Sequence, residues 1–210
     1  MAGPGPDRSP TSHERRSGEP WDHSYQAGSP PWDIGRPQPA VVRLCDQGAF
    51  VEAVLDAGCG SGENALEIAA RDIEVVGADV APTAIRQAQE KAAGRGIAAN
   101  FLVADALQLD RLGQTFQSGL DCGLFHTFDD DERQAYVESL AAVTRPGSVL
   151  HLLCFSDMAP GDWGPRRIRQ AELRASFGDG WKVVSIEEER FETNLESSEV
   201  PAWLAQIERV

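Results

Sequence analysis

The feature that most constrains this chain is a run of glycines at a strand-to-helix junction, Val54-Leu55-Asp56-Ala57-Gly58-Cys59-Gly60-Ser61-Gly62-Glu63. A short apolar run enters it, and a helical pattern with Ala65, Ile68 and Ala69 on one face leaves it. Glycines there let the backbone turn sharply and approach a ligand with no Cβ in the way. A strand that turns directly into a helix is the start of a β-α unit. Repeated, such units build a parallel sheet with helices on both faces.

The repetition is present. Strands are expected at 51–57, 73–80, 98–104, 118–125 and 147–156, with helices between them near 62–71, 82–94 and 129–144. Ile85, Ala88 and Ala92 share one helical face, as do Val137, Leu140, Ala141 and Thr144. Pro82 suits a first helical turn, and Gly94 and Gly96 end that helix. A further helix is expected from Pro37 to about Gln47, with Val41, Val42, Leu44 and Cys45 on its buried side and Gly48 as a stop. At the other end, a helix at 166–177 precedes two consecutive strands, 181–192 and 200–209, which imply an antiparallel pair at one side of the sheet. The fold class is α/β, and 210 residues suffice for one domain with a full core.

Residues 1–30 are poor in aliphatic side chains and rich in Pro, Gly, Ser and charge, a composition that does not offset its ordering entropy. The expectation is a disordered tail at 1–30 and a domain at 31–210. Trp21, Tyr25 and Trp32 interrupt that composition, so residues 21–36 are the part expected to order, as a lid.

Charge and composition exclude several classes of partner. A net charge of −14 repels a phosphate backbone, which argues against nucleic acid as substrate. Arg166, Arg167 and Arg169 form the one basic cluster and read as a solvated helix face. No apolar run approaches the ~18 residues of a membrane span, and the N-terminus lacks the apolar segment of a secretory signal, so a cytoplasmic location is expected. The four cysteines, Cys45, Cys59, Cys122 and Cys154, show no metal-ligand spacing, and no metal is expected.

The glycine loop discriminates between ligands. A dinucleotide fingerprint needs a third glycine where Glu63 stands. Asp56 and Glu63 would crowd a pyrophosphate with negative charge, but they suit an aminoacyl group carrying an ammonium and a sulfonium. Asp79 closes the next strand, 21 residues after Gly58, where an acid accepts hydrogen bonds from both ribose hydroxyls. Asp105 closes the third strand, placed to accept from an adenine amine. These acids weigh against the alternative of a nicotinamide-dependent oxidoreductase on the same sheet.

Residues 51–157 resemble the class I S-adenosylmethionine-dependent methyltransferases. The resemblance implies a seven-stranded sheet of order 3-2-1-4-5-7-6 and extends over residues 37–210. It assigns Asp56, Gly58, Cys59, Gly60 and Gly62 to the methionine moiety of S-adenosylmethionine, Asp79 and Val80 to the ribose, and Asp105 and Ala106 to the adenine. The strip Pro31-Trp32-Asp33-Ile34-Gly35-Arg36-Pro37-Gln38-Pro39 is similar to one in small-molecule methyltransferases of the halide/thiol, thiopurine and quinol groups, which places Trp32 and Asp33 over cofactor and substrate.

The fourth strand runs into Leu124-Phe125-His126-Thr127-Phe128, beside the transferred methyl group. His126 is the candidate base or orienter, or else a helix-entry histidine bonded to a loop. Phe125 and Phe128 are candidate walls for a flat substrate, and Trp163, after the fifth strand, for the opposite one. Thr127 or Asp129 is the expected cap of the next helix. The expected activity is methyl transfer to an O, S or N atom of a small aromatic or thiol-bearing molecule. A non-catalytic S-adenosylmethionine-binding regulator is the alternative, and monomer and homodimer are equally compatible with the sequence.

Overall fold

The computed structural model describes residues 8–161, 164–195 and 199–210. Seven strands form a single sheet of order β3-β2-β1-β4-β5-β7-β6. They are β1 (Val54–Ala57), β2 (Val75–Asp79), β3 (Asn100–Val103), β4 (Phe116–Cys122), β5 (Thr144–Phe155), β6 (Trp181–Glu192) and β7 (Glu199–Arg209). β1 pairs in parallel with β2 on one side and β4 on the other, whereas β7 runs antiparallel to both β5 and β6. The chain thus reverses its direction of travel across the sheet at β1, and the loops after β1 and β4 part there to leave a crevice.

The helices are α1 (Ser12–Ser17), α2 (Trp21–Gln26), α3 (Pro39–Asp46), α4 (Glu63–Ala69), α5 (Pro82–Arg95), α6 (Asp130–Ala142) and α7 (Gln170–Ser176). Every residue of β1 is buried, as a central parallel strand covered on both faces must be. Its side chains alternate: Leu55 and Ala57 join Leu109, Tyr136 and Leu140 on the α6 face. Val54 joins Leu66, Ile68, Ile85 and Ala88 on the other, under α3, α4 and α5. Asp129, not Thr127, caps α6, accepting from the Glu132 N–H while Glu132 reaches back to the Asp129 N–H.

Two regions depart from expectation. Residues 8–30 are not a structureless tail but carry α1 and α2, packed across the carboxyl ends of the strands. Their anchors are long-range: Ser12 N–H and Oγ both donate to Glu132, 120 residues away, and Asp22 accepts from Thr83 N–H and Oγ1 at the start of α5. Burying one large side chain such as Tyr25 gains about 1.5–3 kcal/mol. Set against about 1–2 kcal/mol of entropy per ordered residue, that burial needs those polar anchors to hold the segment.

The basic cluster is not a solvated helix face. Residues 166–169 are extended, because Ile168 bridges Ser156 and its carbonyl accepts from the Trp203 indole at 2.8 Å. α7 therefore begins only at Gln170. Arg166 pairs with Asp130 at 2.7 Å, and Arg167 donates to the Pro160 and Pro165 carbonyls. Among the described residues, no helix is long and apolar enough to cross a membrane.

Candidate active site

The crevice at the carboxyl ends of β1, β2, β3 and β4 is a cavity of about 310 Å³, roofed by residues 11–36. Its floor is the glycine loop. Gly58, Gly60 and Gly62 all have positive φ, and Gly62 leads into α4 in the left-handed conformation. A Cβ on Gly62 would stand 2.7 Å from the Ala88 methyl and 2.9 Å from the Phe101 ring. At Gly60 the neighbour belongs to the roof: the Tyr25 hydroxyl lies 2.7 Å from where a Cβ would be. Cys59 turns its thiol inward, toward Gly77 and Phe101, so its backbone is the part offered to the cavity.

Asp79 lies at the mouth of the loop, its two oxygens accepting from Gly60 N–H and Ala81 N–H, each at 2.9 Å. Burial raises its pKa and these N–H groups lower it, leaving a net upward shift. Asp105 lines the cavity next to Ala106 and caps the 3₁₀ segment Ala106–Leu112 through Leu107 N–H, at 3.0 Å. Val80 lines it too. A glycine loop that turns at positive φ under the cavity, with one carboxylate at the end of each of two adjacent strands, fits an adenosyl group joined to an amino acid. Among the described residues there is no cluster able to hold a metal ion.

Asp56 is elsewhere. It lies under the loop, does not line the cavity, and carries an oxygen with no hydrogen-bond partner. Burial, helped by the charges of Asp121 and Asp79, pushes its pKa up to about 8. Asp121, also buried, is raised to about 6 by burial against the opposing pull of Leu124 and Phe125 N–H. These acids support the two loops from below rather than facing the ligand.

The acceptor end is built on the 3₁₀ turn Phe125–Thr127 that follows β4. His126 is 3% exposed and lines the cavity, between the rings of Phe155 and Phe191. Its Nδ1 accepts from the Phe155 N–H at 2.9 Å, which fixes the neutral ring with its proton on Nε2. Burial, with the charges of Arg133 and Arg167, lowers its pKa to about 3. A ring so held is neutral, with Nδ1 occupied by the Phe155 N–H and the other side of the ring bonded to the Gly123 backbone. Phe128 lines the cavity, but Phe125 does not: it packs into the core against Phe177, under the Arg133 guanidinium. Trp163 lies outside the described residues.

The roof includes the 21–36 segment expected from the sequence to order as a lid; Thr11 and His13, which also line the cavity, were not foreseen. Trp32 donates from Nε1 to the Tyr25 hydroxyl at 3.0 Å and meets Trp21 edge-on, which stacks in turn on His13 at 4.2 Å. Asp33 lines the cavity but spends one carboxylate oxygen on Gly35 N–H. The strip is sewn to β6 and its following turn by Gln38, which exchanges two hydrogen bonds with the Glu192 backbone, and by Asn194. Phe191 and Thr193 thereby reach the cavity from the far end of the chain. Aromatic residues inside an otherwise polar leader were the available signal for the roof; nothing local marked Phe191.

Comparison with known proteins agrees with this geometry. Residues 54–147 match the family model described as a methyltransferase domain. Over 171 residues the chain is 37% identical to the 2-heptyl-1-hydroxyquinolin-4(1H)-one methyltransferase of Mycobacteroides abscessus, covering 80% of this chain and 75% of that one. A solved structure described as converting a disulfide bond into a thioacetal group during echinomycin biosynthesis superposes with a TM-score of 0.83 at 39% identity, over 90% of this chain and 91% of that one. Magnesium protoporphyrin IX methyltransferase from Synechocystis PCC 6803, solved with bound S-adenosylmethionine, shares the fold at a TM-score of 0.61 and 21% identity, over 80% and 76% of the two chains.

Proposed function

The chain belongs to the class I S-adenosylmethionine-dependent methyltransferases, and we propose that it acts on a small molecule, a flat aromatic compound bearing a hydroxyl, N-hydroxyl or thiol group. The observation that carries this reading is the apolar cavity walled by Phe128, Phe155 and Phe191, with the neutral His126 ring held between the last two. An aromatic, uncharged wall suits a flat neutral acceptor and penalises a protonated amine, which it would strip of water.

When bound, the cofactor supplies a methyl group already activated by a sulfonium. What the chain adds is placement and exclusion of water. Gly58, Gly60, Asp79 and Asp105 hold the adenosyl and aminoacyl parts, and Trp32 and Asp33 close over them. Phe128, Phe155 and Phe191 hold the acceptor ring. Aligning two reactants in this way is worth up to about 7–11 kcal/mol of a reaction barrier. The similar quinolone methyltransferase, named for an N-hydroxylated heterocycle, and the similar sulfur-modifying enzyme of echinomycin biosynthesis support an aromatic oxygen or a sulfur acceptor. All four cysteines are free thiols, in keeping with a cytoplasmic setting.

The test is transfer of label from S-adenosylmethionine to N-hydroxyquinolones, aryl thiols, phenols and alkyl amines offered separately. Product on the oxygen or sulfur acceptors and little on amines is expected. Methylation confined to amines would overturn the reading. Tight S-adenosylhomocysteine binding with no turnover on any acceptor would favour the non-catalytic alternative.

A further inference from the structure

His126 leaves a vacancy in the chemistry. A phenol arriving protonated must lose its proton as the methyl group is transferred, and His126 cannot take it. We propose that His13, delivered by the N-terminal roof, is the general base for acceptors that arrive protonated. This rests on the oxygen-or-sulfur reading above.

The placement of His13 follows from its neighbours. Ser12 donates to Glu132 from Oγ at 2.6 Å and from its N–H at 2.5 Å, and its Oγ lies 3.4 Å from the Thr127 carbonyl. Both partners belong to the β4–α6 corner that carries His126. On the other side of His13, Glu14 is fixed by Arg8 and by the Thr11 and Trp21 N–H groups. His13 is therefore held between two anchored residues, and its ring lines the same cavity as His126. The ring lies flat on Trp21, with 9° between the planes, which leaves its edge and both nitrogens free of the stack. Among the described residues, no group hydrogen-bonds either nitrogen.

The ring is also in the right protonation state. Burial and the charge of Arg16 lower its pKa against the opposing effect of Glu14, so it is neutral at neutral pH. The charged or titratable groups on the elements packed against it are Glu14 and Arg16 on α1, Asp129 and Glu132 at the start of α6, and His126. In the step itself, the acceptor O–H proton passes to a free imidazole nitrogen. The oxygen lone pair forms the new bond to the methyl carbon, and the carbon–sulfur bond breaks with its electron pair left on sulfur. The imidazolium then returns its proton to solvent from its half-exposed position.

The test compares the full-length wild type with His13→Phe, which keeps the stack on Trp21 but accepts no proton. The expected result is a fall of about 100-fold in the ratio of phenol to aryl-thiol turnover, the lower end of what a general base contributes. A second readout is the pH profile: turnover on a phenol should fall as acid protonates His13 in wild type, and that acid limb should be absent in His13→Phe. Equal losses on both acceptor classes, or an acid limb that persists unchanged in His13→Phe, would overturn the role of His13. A wild type that binds S-adenosylhomocysteine but no phenol would overturn the acceptor reading, and the role of His13 with it.

Discussion

Replacing Gly60 by alanine tests whether the roof rests on the cofactor loop. Gly60 has φ +53, a left-handed conformation that costs a residue with a Cβ about 1–2 kcal/mol. The new methyl would also stand 2.7 Å from the Tyr25 hydroxyl, well inside contact distance. Tyr25 must then move and give up the hydrogen bond from Trp32, worth about 0.5–1.5 kcal/mol, or stay and bear a comparable overlap. Gly60→Ala should therefore destabilise by about 1.5–3.5 kcal/mol in all.

Tyr25→Phe removes the offending oxygen, and the next ring atom lies 3.6 Å from the methyl position, an ordinary contact. On its own it should cost only the hydrogen bond. In its background Gly60→Ala should cost only the backbone term, so the double variant is expected to be more stable than the sum of the two singles by about 0.5–1.5 kcal/mol. Urea unfolding of the four proteins gives that coupling, with equal m-values as the check that the same transition is followed. Tryptic cleavage at Arg15 and Arg16 reports undocking of the roof without global unfolding. Additivity within about 0.5 kcal/mol would mean that Tyr25 does not sit on Gly60, and the closed roof would be refuted.

Two other perturbations have clear directions. Asp79→Asn leaves one oxygen to serve both Gly60 and Ala81 N–H and removes the charge beside the ribose hydroxyls. Its S-adenosylhomocysteine dissociation constant should rise by about 10- to 100-fold, equal to the 1.5–3 kcal/mol of a hydrogen bond to a charged group, and calorimetry that finds no change would take Asp79 out of the site. Asp56 and Asp121 have pKa values raised to about 8 and about 6, so the folded protein binds more protons than the unfolded chain above the ordinary carboxylate range. Stability should fall as pH rises from about 4 toward 8. Asp56→Asn should flatten that decline in the thermal midpoint, and an unchanged slope would mean that Asp56 titrates normally.

Much of this protein was legible in short stretches of sequence. Strand and helix positions follow from periodicity, and the cofactor loop from glycines whose positive φ is a local demand. Asp79 and Asp105 were found because strand ends in a parallel sheet converge on one edge. All of these depend on neighbours within a few residues, the range over which sequence patterns speak.

What the tertiary structure decided depends on partners far along the chain. Composition described residues 8–30 as a tail because it counts apolar side chains and cannot count a Glu132 waiting 120 residues away for Ser12. A one-residue difference in facing sends Phe128 into the cavity and Phe125 into the core, and only the turn after β4 sets it. His126 stood at the expected place, yet the tautomer of its ring is set by a backbone N–H of β5. The sequence placed the cofactor, whose contacts are local to each strand end. The walls of the proposed acceptor site come from both ends of the chain and meet only when the sheet has closed its seven strands.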